Sequence, residues 1–150
     1  MALQLVDFGI DRIVAYGHQN ITAKHRTTFE ITREETVSPR GDCIIGVRAD
    51  KSASTLNSKV RELLKNDSSY VFILLKCGNV YDLAVARGSL RLILESTKSL
   101  VVRRSEYIDG RTLAIRSNKA AYHIKRELVH RLRSGCRLEV FLIVAILDRR

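Results

Sequence analysis

The chain has 150 residues, the length of one ordinary domain, and it is 45% hydrophobic and 28% charged, as is typical of soluble globular proteins. Its longest apolar stretch, residues 140–147, is far shorter than the roughly 20 residues that cross a bilayer. The first residues contain neither a charged segment nor a long apolar run, and the three cysteines show no CxxC spacing. These features predict no membrane partner, no signal peptide, no disulfide framework and a cytoplasmic location.

The net charge of +10 is concentrated in the second half of the chain. Residues 1–75 hold 10 Lys and Arg against 9 Asp and Glu, whereas residues 76–150 hold 16 against 7. Such a positive field favours polyanionic partners, namely RNA, DNA or a phosphorylated ligand. The alternative is that the charge serves only solubility.

Apolar alternation predicts the elements in chain order. Residues 12–17 form a first strand, and the long alternation over residues 21–32 predicts a second, half-buried strand. Residues 43–49 form a third strand, after which Asp50 is the expected N-cap of a helix that ends near residue 65. Residues 70–76 form a fourth strand that is apolar on both faces.

The same order of elements then begins again. Four segments match in sequence: 14–18 with 85–89, 29–35 with 100–106, 47–53 with 115–121, and 71–75 with 140–144. The offset between them varies only from 68 to 71 residues, with its changes in loops. We therefore predict a single domain over residues 1–150, made of two duplicated βββαβ units at about 7–76 and 78–147.

A unit with a single helix leaves one face of its sheet uncovered, so the two units should share one core. The expected fold is α+β and β-rich, with pseudo-two-fold symmetry and two helices. Its strands would form a closed or nearly closed barrel, because closure removes exposed strand edges.

Several strings of residues also occur in a known family. In the first half they are residues 17–20, 23–28 with Glu30, 39–47 and 49–51, and in the second half 111–116 and 119–121. In these strings the chain resembles an archaeal family of uncharacterised proteins, described only as a domain of unknown function. The resemblance covers nearly the whole chain and implies an archaeal cytosolic protein. It implies no activity, cofactor or catalytic residue.

Differences between the two units single out a polar cluster in the first. His18 and His25 stand where the second unit has serines, and the loop with Arg40 and Asp42 is the segment that the second unit shortens. On the alternation, His25 faces inward, either as a hydrogen-bonded core residue or as a general base. In the second case these four residues would form the catalytic site of a metal-dependent hydrolase or nuclease, although their spacing matches no metal-ligand motif. Cys43 starts an apolar strand, so we expect burial rather than nucleophilic catalysis.

A second group of candidates is basic. Arg48 and Lys51 at the start of the first predicted helix recur as Arg116 and Lys119 at the start of the second. A cation beside free helical N–H groups can bind phosphate, whereas a lysine paired with a carboxylate cannot. Further cations would extend the surface along the second unit; they are Arg103, Arg104, Lys125 and Arg126. Aromatic residues make up only 6% of the chain, so we expect contacts to phosphate rather than stacking on bases.

Three functions are compatible with these features. The first is a domain that binds RNA or DNA through its backbone, and the second is the hydrolase or nuclease acting on a phosphorylated substrate. The third is an interaction protein whose charge is incidental. The sequence assigns no cofactor and no oligomeric state.

Overall fold

The computed structural model describes residues 2–149 and contains two β-sheets and two α-helices, which confirms the α+β class. The strands are β1 Leu3–Tyr16, β2 Thr28–Thr32, β3 Ile44–Gly46, β4 Ser69–Cys77, β5 Val80–Arg87, β6 Ser99–Arg103, β7 Thr112–Ala114 and β8 Arg137–Arg149. The helices are α1 Ser58–Leu64 and α2 Arg126–Arg133, preceded by short 3-10 turns at Ala53–Thr55 and Ala121–His123. Within residues 2–149, no helix is long and apolar enough to cross a membrane.

The strands form two four-stranded sheets. The first has the order β1-β8-β4-β5 and is antiparallel throughout, and the second has the order β3-β2-β6-β7 with parallel pairs at its two edges. Isolated bridges at Tyr16–Val47 and Arg87–Ile115 join the edges of the two sheets. The described residues therefore form two sheets whose edges meet only at these bridges. The sequence predicted a closed or nearly closed barrel, and a closed barrel is not found among residues 2–149. The edge strands β3 and β7, with three residues each, are too short to carry a continuous ladder across the corners.

The core lies between the inner faces of the sheets and the apolar sides of the helices. The apolar residues that recur three and four positions apart in the two helical segments, a spacing that predicts an inward face, are all buried; they are Leu56, Val60, Leu63, Leu64, Ala121, Ile124, Leu128 and Leu132. Burying one large aliphatic side chain is worth about 1.5–3 kcal/mol. These stripes therefore provide a large part of the energy that holds the helices on the sheets.

The strand predicted over residues 21–32 is shorter in the structure, where only Thr28–Thr32 pairs in a sheet. Ala23 has a φ of 49°, a left-handed conformation that interrupts any extended strand. The amides of Lys24 and His25 instead donate to the carbonyl of Asp42, at 3.0 and 3.2 Å. The alternation of buried residues before β2 thus reflects packing of a loop, not a strand.

The first helix also begins later than predicted. Asp50 does not cap it; its Oδ1 accepts a hydrogen bond from the N–H of Val14 at 2.9 Å. The N-cap is Asn57, whose side chain accepts from the N–H of Val60 at 2.8 Å. Lys51 therefore lies ahead of the helix rather than in its first turn.

Cys77 and Cys136 form a disulfide, with their Cα atoms 6.3 Å apart. Cys77 ends β4 and Cys136 precedes β8, the neighbouring strand. The prediction of no disulfide is thus wrong for this pair. A separation of 59 residues leaves no local spacing signal, and only the strand pairing brings the two sulfurs together.

Candidate functional site

His25 lies half-buried in the loop before β2. Its Nδ1 atom accepts hydrogen bonds from the N–H groups of Thr27 at 3.3 Å and Thr28 at 3.1 Å. In the second half of the chain, the hydroxyl of Ser96 accepts from the amides two and three residues ahead of it, both at 3.1 Å. Side-chain acceptors in this arrangement close tight turns. His25 therefore serves the same local structure as a serine does in the second half.

The other three candidates of the polar cluster are dispersed around this loop. The Nδ1 atom of His18 accepts from the amide two residues ahead at 3.0 Å, as the hydroxyl of Ser89 does at 3.1 Å. The backbone carbonyl of Asp42 accepts a hydrogen bond from the N–H of His25. Arg40 is exposed, and it has no hydrogen bond or ion pair within residues 2–149.

The Cys43 thiol is unsuited to nucleophilic attack. Burial, together with the nearby carboxylate of Glu30, raises the pKa of Cys43 to about 11, and its Sγ donates to Glu30 Oε1 at 3.6 Å. The thiolate, which is the nucleophilic form, is therefore scarce at neutral pH. In the part of the chain that is described, no group of three His, Cys, Asp or Glu side chains could hold a metal ion. The structure thus gives the hydrolase hypothesis neither an activated thiol nor a metal site.

Lys51 and Lys119 are each paired with a carboxylate. Lys51 contacts the buried Asp11, and Lys119 contacts Asp82 in the corresponding place beside the second helix. Burial acts to raise the pKa of Asp82, but the hydrogen bonds from Lys119 and from the N–H of Lys125 outweigh it and hold this pKa below its ordinary value. The two ammonium groups neutralise these carboxylates, which leaves little of their charge for a phosphate.

Arg103 also has an internal role. It is buried, and its guanidinium donates to Thr112 Oγ1 at 2.9 Å and to Asp109 Oδ2 at 3.0 Å. Lys125, at the N-cap of α2, is exposed, and its side chain has no hydrogen bond or ion pair in the described chain. Of these two candidates, only Lys125 is available to a ligand.

Arg48 and Arg116 share an uncommon backbone conformation, with φ values of 54° and 52°. Both side chains are exposed. The guanidinium carbon of Arg48 lies 4.1 Å from the ring centroid of Tyr16, while Arg116 forms an ion pair with Glu106. Left-handed backbone at a residue other than glycine is costly, so surrounding contacts must hold both residues in place.

The structure brings together five residues that we call the basic cluster: Arg26, Arg104, Tyr122, His123 and Arg126. The guanidinium carbon of Arg26 lies 4.4 Å from the ring centroid of Tyr122, and Nη1 of Arg104 lies 3.2 Å from Nε2 of His123. Within residues 2–149, no carboxylate lies within ion-pair distance of the three arginines. This is a concentration of positive charge that no carboxylate of the described residues neutralises.

The imidazole of His123 responds to that charge. Burial first, and then the charges of Arg104, Arg26 and Arg126, lower the pKa of His123. Three guanidinium groups therefore act on one ring at the surface. An anion placed there would reverse their effect.

Arg126 has a fixed position in the basic cluster. Its guanidinium donates to the carbonyls of Ala23 at 3.0 Å, Ala121 at 2.7 Å, Tyr122 at 3.0 Å and Ile124 at 3.0 Å. With its donors used on backbone carbonyls, it contributes charge rather than new hydrogen bonds. It also ties the loop before β2 to the 3-10 turn before α2.

Sequence reasoning named Arg104 and Arg126 but missed how Arg26 and His123 join them. Positions 26 and 123 come together because the N–H of Tyr122 donates to the carbonyl of His25 at 2.9 Å. The equivalent bond in the other half joins the N–H of Ser54 to the carbonyl of Ser96 at 3.0 Å. That bond brings no charged side chains together. Positions 26 and 123 are far apart in the chain, and no local spacing in the sequence links them.

A polar cavity of about 340 Å³ lies apart from the residues of the basic cluster, none of which lines it. Its lining includes Asp67, Arg87, Arg91, Glu106 and Arg116. Arg87 is held there by hydrogen bonds to two backbone carbonyls, at 3.0 and 3.1 Å. Arg91 is exposed and has no side-chain hydrogen bond or ion pair in the described residues. The volume falls at the lower end of the range for small-molecule sites, about 300–1,000 Å³.

Comparison with known proteins agrees with the resemblance seen in the sequence. Residues 13–145 match the family described as "Domain of unknown function (DUF371)". The chain belongs to this family. A relative, the "Uncharacterized protein MJ0206" of Methanocaldococcus jannaschii, is 39% identical over 132 residues, which cover 88% of this chain and 97% of the relative. Membership in DUF371 identifies neither a reaction nor a ligand. Function is therefore inferred from the geometry of the site.

Proposed function

We propose that this protein binds RNA or DNA through contacts to the phosphate backbone, with the basic cluster as the centre of the interface. The observation that carries the proposal is the set of three arginines around Tyr122 and His123 that no carboxylate within residues 2–149 neutralises. Three of the other candidate cations, Lys51, Lys119 and Arg103, are paired with carboxylates. Charge left unpaired at one place is what a polyanion requires.

The two exposed arginines can supply the hydrogen bonds to phosphate. Arg26 has no hydrogen-bond acceptor among the described residues, and its stacking on Tyr122 holds the guanidinium in one plane. Arg104 has one contact, to His123. A planar guanidinium can donate two parallel hydrogen bonds to a phosphate, which a lysine cannot. Arg126 adds a fixed charge behind them.

His123 provides an internal reporter of binding. Because the three arginines contribute to lowering its pKa, a bound phosphate that neutralises them should raise that pKa. Binding should then take up protons and become tighter as the pH falls towards the range in which His123 titrates. The NMR shift of the His123 ring can be followed during a titration with inorganic phosphate or an oligonucleotide.

The direct test is a titration with labelled RNA and DNA oligonucleotides at several salt concentrations. Affinity should fall steeply with salt, with a log–log slope of about 0.7–0.9 for each phosphate neutralised. Arg26→Ala and Arg104→Ala should weaken binding and reduce that slope. Arg33→Ala is the matched control, because Arg33 is also exposed and its N–H donates to the carbonyl of Lys98, as that of Arg104 does to Thr27, both at 2.8 Å. No binding at low salt, or a slope equally reduced by all three variants, would contradict the proposal.

We also propose that residues 2–149 are one domain that arose by duplication, with two units related by a pseudo-two-fold axis. The strand pairing supports it, because β4 pairs with β8 and β2 with β6 between the two halves. Left-handed residues recur at Ala23 and Leu94, 71 positions apart, and at Arg48 and Arg116, 68 apart. These intervals equal the offsets of the sequence matches. The cytoplasmic location stays a prediction.

A further inference from the structure

The outward face of the first sheet is apolar over most of its area. Side chains alternate between the two faces of a strand, and on this sheet the inward set includes the buried Ile13, Ile73 and Val140. The outward positions of the four strands carry charged residues at Arg12, Lys76, Arg87, Arg137 and Glu139. The others are mainly large apolar residues, among them Leu5, Phe8, Ile10, Tyr70, Phe72, Leu74, Tyr81, Leu83, Val85, Phe141, Ile143, Ala145 and Leu147. We call this surface the outer face. No element within residues 2–149 covers it; Phe8 and Ile10 remain 52% and 53% exposed.

Such a composition is unusual for a sheet that faces water. Antiparallel sheets with one solvated face normally alternate apolar inward and polar outward residues, whereas continuous apolar runs are typical of strands that are buried on both faces. The central strand β8 contains the run Val-Phe-Leu-Ile-Val-Ala-Ile-Leu over residues 140–147. Large apolar patches on a protein surface usually mark an interaction site. The sequence of β8 therefore indicates that the outer face is covered in the working state of the protein.

Charge limits what can cover it. The chain carries +10, so two copies can pack only where the cations of one do not lie over those of the other. The cations at the outward positions of β1, β4 and β8 stand together around Glu139 at one end of the face: Arg12 is paired with it at 2.6 Å, and Lys76 and Arg137 lie beside it. Arg87, on the edge strand β5, donates to two backbone carbonyls. An acidic partner would be drawn to the basic cluster instead.

The shape of the outer face is also compatible with packing against a second copy. In one cross-strand row, Ala145 lies between Phe8 and Tyr70, so a small side chain stands between two large ones. Two rows further along β8, Phe141 projects from the same face. A two-fold axis between these rows would set Phe141 of each copy over Ala145 of the other, at the spacing of about 10 Å that packed sheets adopt.

The size of the face is adequate for a dimer. Four strands at about 4.8 Å and four rows at about 6.8 Å give a projected area of about 500 Å². Pleated side chains and the continuation of β1 and β8 beyond these rows enlarge it towards the roughly 800 Å² that each partner buries in a standard interface. We propose that two copies of this chain pack their outer faces together around a two-fold axis and form a dimer of β-sheets.

Sedimentation equilibrium or light scattering of the full chain over a range of concentrations tests the proposal. The wild-type protein should have a mass of about 34 kDa, twice the 17.0 kDa of the chain. Ile10→Glu and Leu83→Glu change exposed positions on opposite edge strands of the outer face. Each should raise the dimer dissociation constant at least about tenfold, because a buried carboxylate without a partner is costly.

Leu90→Glu is the matched control, since it makes the same change at a residue that is 70% exposed and lies outside the outer face. It should remain a dimer, and circular dichroism should show that all three variants are folded. A wild-type protein that stays at 17.0 kDa throughout would overturn the proposal, and so would folded Ile10→Glu and Leu83→Glu variants that both remain dimers. A monomer that sediments with neutral phosphatidylcholine vesicles would assign the face to a lipid surface instead.

Discussion

The ammonium group of Lys119 lies against the carboxylate of Asp82, and this pair fixes the start of the second helix. Asp82 points inward from β5, and its Oδ2 accepts a hydrogen bond from the N–H of Lys125, the N-cap residue of α2, at 2.7 Å. Asp11 does the same in the first half, where it contacts Lys51 and accepts from the N–H of Asn57 at 2.7 Å. Each carboxylate thus joins a strand, a lysine and a helix start.

Removing the charge of Asp82 should therefore destabilise the protein. Asp82→Asn leaves Lys119 without its partner and weakens the bond to Lys125. We expect a loss of about 2–3 kcal/mol in the free energy of unfolding, measured in urea. Asp7→Asn is the control, because Asp7 and Lys59 form an ion pair in which both side chains are well exposed, and it should change stability little. Equal effects of the two substitutions would contradict this role of Asp82.

Asp109 should make stability depend on pH in the acid range. Although burial acts to raise it, hydrogen bonds from Arg111 and the charge of Arg103 lower the pKa of Asp109 to about 2. In the unfolded chain the pKa of an aspartate is about 3.9. Because the folded pKa is the lower one, Asp109 stabilises the fold above about pH 4, and this contribution is lost as the pH falls through about 2. The stability difference between wild type and Asp109→Asn should shrink over that window, as unfolding midpoints between pH 5 and 2 would show.

The sequence predicted what depends on burial and missed what depends on hydrogen bonds between distant segments. Apolar periodicity correctly identified the inner sides of both helical segments, and it identified β4. It extended the strand that contains Phe29 back to Ile21, because a loop that packs on the core also alternates buried and exposed residues. Periodicity carries no information about the left-handed turn at Ala23, which ends the strand. Likewise, aspartate is a common N-cap residue, but the carboxylate of Asp50 accepts its hydrogen bond from the N–H of Val14 instead.

The basic cluster was only partly predictable for the same reason. Net charge and the run at 103–104 pointed to the second half, whereas Arg26 belongs to the first half and reaches Tyr122 through tertiary packing. Lys51 and Lys119 recur at matching positions of the sequence, 68 residues apart. Their partners, Asp11 and Asp82, are 40 and 37 residues away, so the pairing could not be read from local sequence.

Two glycines should tolerate no side chain. A Cβ atom at Gly17 would overlap the carbonyl oxygen of Leu132, and one at Gly88 would overlap Ser69 Oγ and the carbonyl oxygen of Leu64. We expect Gly17→Ala and Gly88→Ala each to cost about 2–4 kcal/mol, because backbone atoms must move to relieve the overlap. Gly110→Ala is the control, since its Cβ would lie no closer than 3.9 Å to any neighbour. Thermal unfolding should show a large shift for the first two substitutions and almost none for the third.

The disulfide between Cys77 and Cys136 should stabilise the protein substantially. Closing a loop of 59 residues restricts the unfolded chain by about 4 kcal/mol in the entropic treatment. Reduction, or replacement of both cysteines by serine, should lower the urea midpoint by a corresponding amount. Mass spectrometry after alkylation in denaturant should find one modified thiol, Cys43, in the oxidised protein and three after reduction. Three modified thiols in freshly purified, unreduced protein would contradict the bond.

The last prediction separates the structural role of His25 from a catalytic one. Its Nδ1 accepts the amides of Thr27 and Thr28, and Ser96 closes the equivalent turn with a hydroxyl. His25→Ser should therefore keep the turn and change the free energy of unfolding by less than about 0.5 kcal/mol, whereas His25→Ala, which removes the acceptor, should cost about 1 kcal/mol. Both variants should bind oligonucleotides as the wild type does, because His25 contacts the basic cluster through its carbonyl alone. If product analysis of the binding samples showed turnover that both substitutions abolish while the fold remains intact, His25 would be a catalytic base and the binding function would be incomplete.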